Sequence, residues 1–176
     1  SGIGTTAIML AKAFGAKAIA TAGSKEKTDA CLKLGADFAI DYKTQDFVAL
    51  TKEHTGGKGA NLIIDMVGGD YFDRNLDAAA VEGRIVQIAT QKGFKVELNI
   101  LKVMQKRLTF TGSTLRPRPV ADKAAIADAL RAKVWPLLDQ GKIKPVIDST
   151  FPLAEGNKAH ARMESSSHVG KIVLTA

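Results

Sequence analysis

Ser1-Gly2-Ile3-Gly4-Thr5-Thr6-Ala7-Ile8-Met9-Leu10-Ala11-Lys12-Ala13-Phe14-Gly15 opens the chain, and its reading decides the fold. Residues 2–7 fit G-x-G-x-x-G/A, the glycine turn that leads a strand into a helix in dinucleotide-binding units. In that reading Gly2 permits the tight turn, and Gly4, lacking Cβ, lets the backbone approach a pyrophosphate. Ala7 lets the helix pack close to its sheet. The unpaired N–H groups and the positive dipole end of the helix would face the phosphates. The same pattern also describes a purely structural glycine turn. Ile3, Ala7, Leu10, Ala11 and Phe14 share one face, which predicts a helix over 3–14 stopped at Gly15.

Moving outward, short β-type runs alternate with helical patterns. Strands are expected at 16–22, 37–40, 61–67, 84–89 and 107–111, with the run 61–67 the most clearly buried. Helices are expected at 25–34 capped by Ser24, from Thr44 to about His54, and at 71–80. A long amphipathic helix is expected at 121–139, with Gly141 closing it. A strand at 144–147, a helix at about 155–163 and a strand at 170–174 complete the pattern. Strand–helix alternation predicts a doubly wound parallel sheet with helices on both faces, an α/β fold. The expected division is residues 1–150 as a nucleotide-binding domain and 151–176 as a segment of different structural character.

The composition sets limits. With 176 residues, 45% of them hydrophobic, the chain has enough apolar material for a core, and no apolar run reaches membrane-spanning length. One cysteine, Cys31, and three histidines give neither a disulfide nor a zinc-ligand spacing, which points to a reduced, cytoplasmic setting. The net charge of +7 favours anionic partners, but two tyrosines and one tryptophan leave little for base stacking. After the strand expected at 16–22 stands Gly23-Ser24-Lys25-Glu26-Lys27. NAD-preferring sites place an acid there for the ribose hydroxyls. Here Gly23 and Ser24 make room, Lys25 or Lys27 can neutralise a 2′-phosphate, and Glu26 falls within a helical turn. That combination points to NADPH.

The stretches SGIGTTAIMLAKAFGAKAIATAGSKEK, LGADFAIDYK, NLIIDMVGG, GRIVQIA, FTGSTLRPR and HVGKIVLTA together resemble the zinc-independent quinone oxidoreductases, the zeta-crystallin-like branch of the medium-chain dehydrogenase/reductase superfamily. The resemblance implies a Rossmann fold with NADPH, hydride transfer to a quinone or conjugated enone, no metal, and a homodimer. Residue by residue it implies that Ser1, Gly2, Ile3 and Gly4 form the pyrophosphate loop. Gly23 and Lys27 would hold the adenosine ribose and its 2′-phosphate, with Tyr42 flanking that phosphate. Ile88, Ala89 and Thr90 would lie on the ribose–nicotinamide side, and the backbone of Ser113, Thr114 and Leu115 would reach the carboxamide. Where some relatives carry an arginine near the C-terminus, this chain has Ser165-Ser166-Ser167.

Relatives of this branch also carry a GroES-like catalytic domain and a first Rossmann strand ahead of the glycine turn. The chain is therefore expected to be the later part of a longer protein and inactive by itself, with its last segment returning to that domain. Without the first strand, the order 3-2-1-4-5-6 should show a discontinuity between strands two and four. Two alternatives stay open at the level of sequence: an enoyl-thioester reductase of the same superfamily, and a non-catalytic nucleotide- or RNA-binding module. Arg116 and Arg118 could meet a CoA phosphate or solvent. Asp65 reads as structural, Cys31 as inert, and no residue is singled out as catalytic.

Overall fold

The computed structural model describes residues 1–176. Helix α1 (Gly2–Ala13) precedes strand β1 (Ile19–Ala22), then α2 (Lys25–Lys33), β2 (Phe38–Asp41), α3 (Phe47–His54) and β3 (Ala60–Asp65). There follow α4 (Tyr71–Ala78), β4 (Ala79–Gln87), α5 (Ile100–Lys106), β5 (Thr109–Gly112), α6 (Val120–Lys133) and α7 (Trp135–Asp139). Strand β6 (Ile147–Pro152), a 3-10 turn (Leu153–Glu155), α8 (Gly156–Glu164) and β7 (Lys171–Thr175) close the chain.

Every strand pair is parallel, as strand–helix alternation requires. The strands form three separate sheets: β1-β2, β3-β4-β5 and β6-β7. The pair β1-β2 has the neighbours of positions two and three in a Rossmann sheet, and β3-β4-β5 those of four, five and six. The expected discontinuity is thus present, with β1 and β3 each at a sheet edge. Strand β6 runs across residue 150 and pairs with β7 from Ile147↔Lys171 to Pro152↔Thr175.

Two compact units divide the chain, residues 1–43 with 126–176 and residues 44–125. In the second, Phe72, Leu76, Ala79 and Ile85 form the buried cluster, with Ile63, Val103 and Leu108 packed against it. Phe110 meets Phe72 edge-to-face at 4.8 Å between centroids. Phe47 stacks on Tyr71, and the Arg74 guanidinium lies 4.2 Å over the Phe47 ring, joining α3 to α4. In the first unit, Ile8, Ala36, Ile40, Ile143 and Ala159 are buried.

Several expectations are corrected. Gly2 and Gly4 do not form a tight turn; both lie in the first turn of α1 without positive φ, and Ser1 is the cap. The cap of α3 is Asp46, whose Oδ1 accepts the Val48 N–H at 3.0 Å, because Thr44 belongs to the preceding turn. Strand β3 is far from fully buried: Leu62 and Ile64 are about half exposed, since at an edge Ile63 alone faces the cluster. The long helix at 121–139 is two helices. Pro136 lacks the N–H for a helical bond and its ring would collide with the Ala132 carbonyl, so α6 stops at Lys133. Helix α5 was not anticipated, although Asn99, whose Oδ1 accepts the Leu101 N–H at 3.1 Å, is a regular cap signal. Because Arg107 ends α5 in the left-handed region, β5 starts two residues later than expected.

Candidate functional site

The start of α1 is built by hydroxyls. Ser1 Oγ accepts the Gly4 N–H at 3.1 Å, while the Thr5 and Thr6 hydroxyls both donate to the Gly2 carbonyl. A Cβ on Gly2 would stand 2.5 Å from Lys171 Cδ, so this glycine makes room for a lysine stem. A Cβ on Gly4 would meet only Ser1 Oγ at 3.5 Å, leaving the backbone open to an approaching group. Ile3 is exposed beside them. Exposed N–H groups on the positive end of a helix suit an anion.

At the end of β1 the chain places Gly23 under a phenol. A Cβ there would lie 2.6 Å from Tyr42 Oη and 3.3 Å from Lys43 Cε. Ser24 caps α2 by accepting the Lys27 N–H at 3.4 Å. The Lys27 ammonium donates to the Ser166 carbonyl. Ser166 has φ 54°, and its turn is braced by Arg162, which donates to Ser167 Oγ at 2.6 Å. Arg162 also makes a two-pronged bond to Asp148 at 2.8 and 2.9 Å, which holds the Asp148 carboxyl far below the usual carboxylate range. Within this unit Gly23, Ser24, Lys27 and Tyr42 are therefore gathered at one strand end, and Lys43 joins them. Position 41 is an acid, but its Oδ1 accepts the Lys43 N–H at 3.0 Å. Burial pushes the Cys31 thiol up, away from reactive thiolate.

The second unit collects the other expected residues at the C-terminal edge of β3-β4-β5, where parallel sheets present ligand-binding loops. Ile88 donates its N–H to the Asp65 carbonyl at 2.8 Å, and Ser113 donates to the Gln87 carbonyl at 3.0 Å. The segments Ile88-Ala89-Thr90 and Ser113-Thr114-Leu115 thus leave adjacent strands. Gly68 (φ 68°) packs tightly here, since a Cβ would stand 2.8 Å from the Gly93 carbonyl and 3.3 Å from Thr90 Cα. The buried Asp65 is structural as expected, accepting from the Val67 and Gly68 N–H groups and the Asn75 amide. Arg118 is committed to the loop itself, donating to the Thr114 carbonyl at 3.1 Å and to Ser113 Oγ at 3.0 Å. Gln87 and Lys43 escaped the sequence reading. A polar residue directly after the apolar pair Ile85-Val86, and a second base after Tyr42, were the available signals.

Residues 34–174 match the family model described as zinc-binding dehydrogenase. The chain belongs to that family. It is 32% identical over 180 residues to quinone oxidoreductase 1 of Escherichia coli (strain K12), covering 98% of this chain and 53% of that protein. The solved structure of Escherichia coli quinone oxidoreductase complexed with NADPH matches with a TM-score of 0.84 at 31% identity, covering 100% of this chain and 54% of that one. A NAD-dependent alcohol dehydrogenase structure also matches with a TM-score of 0.84, at 34% identity, covering 100% and 48%. The chain spans about half the length of the curated relatives it matches. The family description speaks of zinc, but this chain has no group of three or more His, Cys, Asp or Glu residues that could hold a metal ion. The donor set of this chain does not fit zinc. No helix is long and apolar enough to cross a membrane.

Proposed function

We propose that this chain is the cofactor-binding part of an NADPH-dependent oxidoreductase that passes a hydride to a quinone or conjugated enone. One observation carries the reading: Gly23 lies beneath the Tyr42 phenol beside Lys43, with Lys27 on the following helix and no acid ending β1. A 2′-phosphate would meet the cations Lys27 and Lys43 there, whereas a bare ribose diol finds no carboxylate ending β1 to accept its hydroxyls. The α1 N-terminus with Ser1, Gly2, Ile3 and Gly4 would take the pyrophosphate. The loops at Ile88–Thr90 and Ser113–Leu115 would line the nicotinamide end.

When bound, the cofactor supplies the hydride from its reduced nicotinamide ring. The chain's own part is binding and orientation. Helix N–H groups and lysines hold the anionic half, and loop backbone amides and carbonyls hold the uncharged end. The identity to quinone oxidoreductases supports the substrate class. The exposed edge of β5, with all four residues open, supports a homodimer in which a second copy extends the sheet. A cytoplasmic setting, in which a lone thiol such as Cys31 stays reduced, suits this reading.

The test is cofactor discrimination in the full-length protein. Lys27→Glu should weaken NADPH binding by roughly 1.5–3 kcal/mol, the scale of a lost charge-assisted contact, and leave NADH nearly unchanged. Fluorescence titration of both cofactors decides it, with quinone turnover measured on the same preparation. Equal loss for NADH and NADPH overturns the assignment of this strand end.

A further inference from the structure

Gln87 is outside the set of residues assigned above to the cofactor, yet it ends the strand from which the Ile88-Ala89-Thr90 segment departs. It ends β4, the central strand of its sheet, with Asp65 of β3 and Gly112 of β5 as register partners. Its side-chain amide donates to two carbonyls, that of Ala89 at 2.6 Å and that of Asp65 at 3.3 Å. Its backbone carbonyl accepts the Ser113 N–H at 3.0 Å. One residue therefore joins the exits of all three strands.

The loop after β3 is fixed on its other side by the Asp65 carboxylate, and it pairs in turn with the loop after β4. Gln91 and Lys92 donate to the Met66 and Val67 carbonyls at 3.2 and 2.8 Å, and Gly69 donates to the Gly93 carbonyl at 3.1 Å. The chemistry at position 87 is selective. Both partners of its side chain are carbonyls, so only a neutral or cationic donor of this length serves, and a carboxylate would face two lone-pair-bearing oxygens.

We propose that Gln87 is a positioning residue for the nicotinamide end of bound NADPH, its side chain acting through the Ala89 and Asp65 carbonyls without touching the cofactor. The inference rests on the NADPH reading above. Loops held in place before binding spare the ordering that a ligand would otherwise impose, and this preorganisation shows as affinity for the part of the ligand those loops meet.

The experiment compares two ligands in the full-length protein: NADPH, and adenosine 2′,5′-bisphosphate, which carries the adenosine half and no nicotinamide. Gln87→Leu removes both side-chain donors at similar volume. It should weaken NADPH about tenfold, the value of one to two lost hydrogen bonds, and change the bisphosphate less than about twofold. If Gln87→Leu loses its cooperative thermal transition, Gln87→Asn carries the test. Its amide is one methylene too short to reach both carbonyls, and the same split between ligands is expected. Loss for both ligands alike, or for neither, overturns the role of Gln87 while leaving the cofactor assignment intact. A wild-type protein that binds neither ligand overturns the cofactor reading itself, and the positioning role falls with it.

Discussion

Glu82 and Arg107 both hold left-handed backbone, at φ 59° and 49°, without being glycine. Such a conformation costs an L-residue about 1–2 kcal/mol, of which glycine's greater freedom in the unfolded chain returns part. Their side chains pair at 3.1 Å, but both are mostly exposed, and exposed ion pairs contribute little. Arg107→Gly is therefore expected to stabilise the protein by roughly 0.5–1 kcal/mol, read as a higher urea midpoint. A lower midpoint would mean that the ion pair outweighs the backbone strain. Asp148 behaves in the opposite way, being a nearly buried carboxylate that accepts from Arg162, Ser149 and the Val169 N–H. Asp148→Asn should cost about 1.5–3 kcal/mol, the scale of hydrogen bonds to a charged group. Because its folded pKa is depressed, this stabilisation is present above the unfolded aspartate value near 3.9 and is lost as pH falls below it. Wild type and Asp148→Asn should therefore converge in melting temperature on acidification through pH 4–2, and curves that stay parallel would contradict that linkage.

At the scale of elements, the edge strand β5 makes the sharpest claim. Thr109 and Thr111 sit on an exposed strand whose outer side pairs with nothing in this chain. Placing lysine at both positions should charge that edge and shift the full-length protein from dimer to monomer in sedimentation equilibrium. A wild-type protein already monomeric at micromolar concentration removes the proposal. Helix starts were legible where a capping side chain preceded a clear periodicity, as at Ser24, but not at Asn99, whose helix is only seven residues long. They were misplaced where two candidates competed, as with Thr44 and Asp46, because local turn geometry chooses between them. The break before Pro136 was readable in principle, but amphipathic periodicity continues across it and masked the missing N–H. The segments expected at the cofactor rest on the family resemblance, and apart from residues 1–4 each of them follows a strand. Gln87 was not legible, since its role arises from the register of three strands distant in sequence.

For the whole molecule, parallel α/β architecture followed from alternation alone, while the separation into three sheets needed the strand order as well. Lys106 shows how much of the assembly lies beyond sequence reading. Its ammonium donates to the Leu76, Asp77 and Ala79 carbonyls at 2.7–2.9 Å, closing the end of α4 from a helix about thirty residues away. Lys106→Met should leave those carbonyls without their donor and destabilise the residue 44–125 unit by about 1–3 kcal/mol, visible as faster amide exchange at Ala78 to Ala80. Unchanged exchange there would count against the lysine as a cap.

The two compact units differ in how the chain supplies them. Residues 44–125 are contiguous, whereas the other unit takes its parts from both ends of the sequence. During synthesis the ribosome delivers the whole inner unit first, and residues 1–43 must wait until residues 126–176 emerge. Helix α1 and the β1-β2 pair therefore spend that interval without the rest of their unit, and a nascent chain arrested once residue 125 has cleared the exit tunnel should already protect α4 and β4 from protease while leaving α1 open to cutting.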